Sequence, residues 1–182
     1  MAALLEKITK EMSKKGIKPR TQEARAFIQG MIAKARIPTN RSNVLNDAKR
    51  ITPVAAIGRM FMFRYDPLTK ETLPEWDEFP LVLPTTVTGD GFTGINFHFL
   101  GPGERLSILD GLTMFLNNDK YDDSTRFNLS YDLLKNMSRF SSIRNCMRRY
   151  LYDQMVSPIV YIEPNNWETA IFLPVANMRS YG

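Results

Sequence analysis

Few residues in this 182-residue chain are equipped for covalent or metal chemistry. It holds one histidine, His98, and one cysteine, Cys146, so a Ser-His-Asp or Cys-His scheme has to use His98. His98 falls in a segment that reads as a strand, where a polar-face or hydrogen-bonded core histidine is expected. Cys146 falls on an apolar stripe beside Met147 and Tyr150 and reads as a buried structural thiol. Without a second cysteine or histidine, neither an internal disulfide nor a structural zinc site can form. Asp110, Asp119, Asp122 and Asp123 are the nearest approach to a metal cluster, and a metal-dependent nuclease would combine such acids with Lys70 or Lys120. They lack the glycine and glutamate spacing of a calcium loop, and Lys120 interrupts them. Gly101-Pro102-Gly103 is followed by no Lys-Ser or Lys-Thr pair, so it is no phosphate loop. The expectation is a protein that is not an enzyme, with no catalytic residue, no metal ligand and no cofactor.

The basic side chains remain. Residues 1–50 carry 12 Lys and Arg against 4 acids, whereas residues 51–182 carry 12 against 15. The chain's net charge of +5 therefore conceals an excess of eight positive charges in the first fifty residues. Charge segregated in this way suits an acidic partner, either nucleic acid or an acidic protein surface. Lys14, Lys15, Lys18, Arg20, Arg25, Lys34 and Arg36 are the candidate contacts. Aromatic residues are not interleaved with them, so contact with phosphates rather than base readout is expected. Arg139, Arg144, Arg148 and Arg149 form a second basic cluster further along.

The elements that must present the basic arm are helical. Ala2 to Lys14 places Leu4, Leu5, Ile8 and Met12 on one face, and Gly16 stops the helix. A second helix fits Thr21 to Arg36, with Thr21 as its N-cap and Ala24, Phe27, Ile28, Met31 and Ala35 as its apolar stripe. Leu4, Leu5, Ile8, Phe27, Ile28 and Met31 are thus the candidate docking side chains, facing either the protein's own core or another subunit. Residues 37–53 read as linker, which divides the chain into an arm (1–53) and a core domain (54–182).

The core reads as α+β: a small, mostly antiparallel sheet packed with several helices. Gly58 to Tyr65 suits a buried strand, and Phe79 to Val87 suits an edge strand, because Pro80 and Pro84 cannot donate to a ladder. Gly89-Asp90-Gly91 predicts a hairpin turn into a strand from Phe92 to Leu100. Its core face would hold Thr93, Ile95, Phe97 and Phe99, leaving Phe92, Asn96 and His98 on the other. Helices are predicted from Glu104 to Leu116 (Leu106, Leu109, Leu112 and Leu116 inward), after Ser124 as N-cap, and through Ile143, Cys146, Met147, Tyr150 and Leu151. A short β run, Ile159 to Ile162, and a helical turn from Pro164 into Trp167–Leu173 complete the pattern. No run of about 18 apolar residues exists, and Glu6 and Lys7 follow Met1–Leu5 at once, so neither a membrane span nor a secretory core is expected.

Gly58-Arg59-Met60 through Tyr65-Asp66-Pro67, Trp76-Asp77, Phe79-Pro80-Leu81, Gly91-Phe92, His98, Arg105, Tyr121-Asp122-Asp123, Ser130-Tyr131-Asp132, Arg149-Tyr150-Leu151 and Trp167 resemble a family of small virion proteins. The family is that of T-even-type contractile-tailed phages, often labelled DNA end protectors, and the likeness spans most of residues 58–175. The resemblance implies a structural or assembly protein of the virion, made in the host cytoplasm. Its basic amphipathic arm would dock onto neighbouring subunits or onto the packaged DNA end at the neck. The implied partners are other neck, tail or baseplate proteins and a double-stranded DNA end held without sequence specificity, with no membrane. The alternative is a tail baseplate component making protein-only contacts.

Overall fold

The computed structural model describes residues 7, 10–18, 21–34, 50–116, 120–137, 141–172 and 176–180. The fold is α+β. Six strands form one antiparallel sheet: β1 (Ile51–Thr52), β2 (Met60–Met62), β4 (Leu81–Thr88), β5 (Gly91–Asn96), β6 (Met147–Leu151) and β7 (Ile159–Ile162), in the order β1-β7-β2-β4-β5-β6. β3 (Trp76–Asp77) and β8 (Met178–Arg179) make a separate two-stranded ribbon. The helices are α1 (Gln22–Lys34), α2 (Pro102–Leu116), α3 (Asp123–Met137), α4 (Ser141–Arg144) and α5 (Trp167–Phe172).

Both faces of the sheet are covered, and the alternation of the pleat sorts side chains between them. Met60, Met62, Leu81, Leu83, Ile95, Val160 and Ile162 face Ile108, Leu109 and Leu112 of α2 and Trp167, Ala170 and Ile171 of α5. Phe61, Phe63, Val82, Phe92, Tyr150 and Ile159 point the other way into a second core, closed by Ala55 and Tyr65. Rings dominate this second layer: Phe63 meets Tyr65, Phe92 and Tyr150 edge-on at centroid distances of 5.2–6.1 Å. Such edge-to-face contacts align the positive ring edge with the negative face. A strand buried on both sides needs no polar alternation, which is why Met60-Phe61-Met62-Phe63 is continuously apolar.

Four expectations are corrected. Phe79–Val87 does not lie at an edge: β4 runs between β2 and β5. A register shift between Pro84 and Thr86 makes Thr85 an extra residue, and its hydroxyl donates to the Thr93 carbonyl at 3.2 Å. The bulge accommodates a proline inside the sheet. Opposite it, a side chain on Gly94 would lie 2.6–2.9 Å from Val82, Leu83 and Pro84, so only glycine allows this approach. Second, the strand beginning near Phe92 ends at Asn96, and Phe97–Phe99 is a 3-10 turn with Asn96 accepting from the His98 amide at 2.9 Å. Both Phe92 and Ile95 are core residues, on opposite faces.

Third, the segment carrying Cys146, Met147, Tyr150 and Leu151 is not a helix. The helix stops at Arg144 and β6 pairs with β5, with Tyr150 opposite Phe92. Its apolar residues fit either period, and the unfilled edge of β5 decides between them. Fourth, Asp122 rather than Ser124 caps α3, accepting from the Thr125 amide at 2.7 Å. By contrast, α2 buries Ile108, Leu109 and Leu112, and Trp167 is sealed in the core with its indole donating to the Ile162 carbonyl at 2.8 Å. The side chains of Leu106 and Leu116 lie outside the described residues.

Candidate nucleic-acid interface

Sequence chemistry fixes the shape of the arm first. Helical residues 10–14 end where Gly16 adopts φ +66°, and the Ile17 amide reaches back to the Met12 carbonyl at 3.0 Å. This backbone reversal favours glycine and satisfies carbonyls left open at the helix end. Thr21 then caps α1, its hydroxyl accepting from the Ala24 amide at 3.1 Å. The two helical segments fold together: Met12, Ile17, Ala24 and Ile28 form a buried cluster with Phe27 and Met31 half-buried beside it, and α1 packs against α5.

Of the candidate docking side chains, Ile28 is 1% exposed and therefore already covered within the chain. Phe27 and Met31 retain partial exposure, and Leu4, Leu5 and Ile8 lie outside the described residues. The candidate cations Lys14, Lys15 and Lys18 are exposed together around the turn of the hairpin. Lys14 approaches Glu11 at 3.4 Å in a solvent-exposed pair, and the Lys15 ammonium stands 4.9 Å from the Phe27 ring centroid. Both contacts are weak and leave the charge accessible. Lys7 and Lys10 are exposed as well and extend the same basic segment. They are missed when cations are sought only where the two helices join. Arg25 and Lys34 stand on α1, their side chains outside the described set, as are Arg20 and Arg36 altogether.

The second basic cluster is differently engaged. The Arg148 guanidinium lies 4.3 Å from the Phe99 ring centroid and donates to the Asn145 and Met147 carbonyls at 2.6 and 3.0 Å. Arg149 holds both oxygens of Asp90 at 2.8–2.9 Å, and Arg144 is exposed on α4. Arg139 lies outside the described residues.

The residues considered for catalysis are built into the scaffold. His98 Nδ1 donates to the Asp77 carboxylate at 2.6 Å, and Asn96 Nδ2 donates to Asp77 at 3.0 Å and to the Tyr150 hydroxyl at 3.1 Å. Burial opposes ionisation of Asp77, but the hydrogen bonds from His98 and Asn96 outweigh it and hold the carboxyl below its usual value. Burial pushes the Tyr150 hydroxyl far above its ordinary range, which keeps it neutral. The Arg105 guanidinium ties the His98, Leu100 and Ile171 carbonyls together at 2.9–3.2 Å. The network thus pins the 3-10 turn, the ribbon and β6 to one another. Cys146 is buried before β6, and burial raises its thiol pKa. Asp110 is exposed on α2, Asp122 is the α3 cap, Asp123 opens α3, and Asp119 lies outside the described residues.

A family model described as the phage T4 terminal DNA protecting protein matches residues 10–182. No curated protein and no solved structure matches the chain.

Proposed function

Because the chain belongs to the phage T4 terminal DNA protecting protein family, we propose that it binds the end of linear double-stranded DNA without sequence specificity and shields it from exonuclease within the virion. The observation that carries this reading is the row of exposed lysines Lys14, Lys15 and Lys18 on a hairpin whose buried apolar cluster is internal. Charge is then what the hairpin offers a partner, and lysine ammonium groups neutralise phosphates as mobile point charges. Arg20, Arg25, Lys34 and Arg36 extend the contact, and the partly exposed Phe27 and Met31 meet a neighbouring virion protein at the neck. The protein acts by occupying the end, with no chemical step.

The test is an exonuclease-protection assay on linear duplex. Wild-type protein should slow degradation, and replacing Lys14, Lys15 and Lys18 by Ala should weaken binding for all sequences alike. The slope of log K against log salt should fall by roughly 0.9 for each phosphate contact removed. Protection no better than that given by an unrelated neutral protein would overturn the reading in favour of protein-only docking.

A further inference from the structure

The arm offers a means of holding DNA but not of choosing an end. Anywhere along a duplex, phosphates look alike to a lysine. What an end adds is the flat face of its last base pair and a terminal nucleotide able to leave the stack, and both are recognised by apolar and aromatic surface. The described part of the hairpin carries one aromatic side chain, Phe27, and it packs against the hairpin's own cluster.

A suitable surface exists elsewhere. Trp76, partly exposed on β3, forms a wall shared by two hollows. The larger, about 350 Å³, is lined by Leu68, Leu73, Trp76, Phe99, Arg148 and Arg149. Its size lies at the low end for ligand sites, which suits one ring system rather than a length of strand. Leu68 in its lining is 71% exposed and adds apolar surface that a ligand can reach. The smaller hollow, about 290 Å³, lies on the other side of Trp76 and is lined by Arg64, Glu78 and Arg179 among others. Four arginines therefore surround one tryptophan. The side chains of Arg64, Arg149 and Arg179 are about half exposed, at 52%, 49% and 54%.

These guanidinium groups are already oriented. Arg64 and Arg179 donate to Glu78 at 3.0 and 2.8 Å, Arg149 holds Asp90, and Arg148 lies over Phe99. Held arginines lose little freedom on meeting a phosphate. Glu75 and Asp77 also line the larger hollow, and Asp66 and Glu78 the smaller, which limits the phosphate charge either can hold. One base and its adjoining phosphate match this balance better than a continuous backbone.

We infer that the Leu68–Trp76–Phe99 hollow receives the terminal base of a DNA strand, with Arg148 and Arg149 at its phosphate, so that this hollow selects the end which the lysine hairpin helps to hold. The inference rests on the DNA-end reading above.

Tryptophan emission tests it directly. Trp167 is 1% exposed, so Trp76 is the reporter that a nucleobase can reach. Full-length protein is titrated with a short blunt-ended duplex and with the same duplex closed at both ends by hairpin loops, binding being followed in parallel by anisotropy. The blunt duplex should quench Trp76 and bind about tenfold more tightly than the closed one. Leu68→Glu, at the 71% exposed side chain of the hollow, should remove that preference, bringing the blunt duplex to the affinity of the closed one. Trp76→Phe should keep the preference and Trp76→Ala lose it. Equal quenching and affinity for the two duplexes, or an end preference untouched by Leu68→Glu and Trp76→Ala, would place end selection elsewhere and leave the DNA reading intact. No binding to either duplex would sink both.

Discussion

The N-terminal hairpin and the sheet domain solve the same problem at different scales. Among its described residues the hairpin gathers four buried ones, Met12, Ile17, Ala24 and Ile28. The sheet carries two complete cores, one beneath the helices and one of stacked rings. Charge follows a similar division: the hairpin's lysines stand in solvent with one weak pair, Lys14 to Glu11 at 3.4 Å, whereas Arg64, Arg149 and Arg179 hold carboxylates at 2.7–3.0 Å. On the proposed reading, a small core with exposed charge suits an adaptable grip and a large core with oriented charge a rigid frame. Opening of the two should be separable, since local stability scales with the apolar contacts a region makes.

The strongest way to break this contrast is Phe63→Ala. Phe63 is fully buried against three rings, so its loss should cost about 3–5 kcal/mol in denaturant unfolding. A loss under about 1 kcal/mol would mean that the ring layer is not a core.

Asp77→Ala comes next, at about 3 kcal/mol, because it strands His98 and Asn96 in a buried setting. The pH dependence has a definite sign. The Asp77 carboxyl is held below its usual value when folded, so its contribution is complete above the unfolded pKa of about 3.9 and is lost as pH falls through the lower folded one. Acid unfolding should therefore become shallower below about pH 4 in Asp77→Asn.

Ile28→Ala should cost about 2–3 kcal/mol, but locally. Amide exchange should rise across residues 21–34 and stay unchanged in β4 and β5; a uniform rise would merge the two regions into one cooperative unit. Thr21→Ala, which removes the α1 cap, is the mildest at about 1 kcal/mol and should affect the same amides.

Much of this was legible in the residues. Apolar periodicity located α1, α2, α3, β2 and β7, and Thr21 and Gly16 marked helix limits that the structure places there. Segments whose apolar residues fit two periods were not. Met147–Leu151 presents the same apolar set to a helix as to a strand, and only pairing with Gly91–Ile95 selects the strand. Pro84 argued for an edge because a bulge depends on the partner strand, here on Gly94. The lysine cluster was readable from charge alone, whereas the Trp76 hollows were not. Their walls come from residues within 64–78, from Phe99 and 148–151, and from Val156 and Arg179, and no local pattern announces that juxtaposition.

The place of β7 bears on how the protein is made. Strands β1 and β2 are close in sequence yet stand two strand spacings apart, about 10 Å, because Ile159–Ile162 lies between them. During synthesis both emerge long before the strand that joins them. Until then β1, which pairs with β7 alone, has no partner, and one edge of β2 keeps open backbone donors and acceptors, a template for any extended segment nearby. A chain stalled before residue 159 would present that edge to other nascent chains, so covering β2 waits on four residues that are made late.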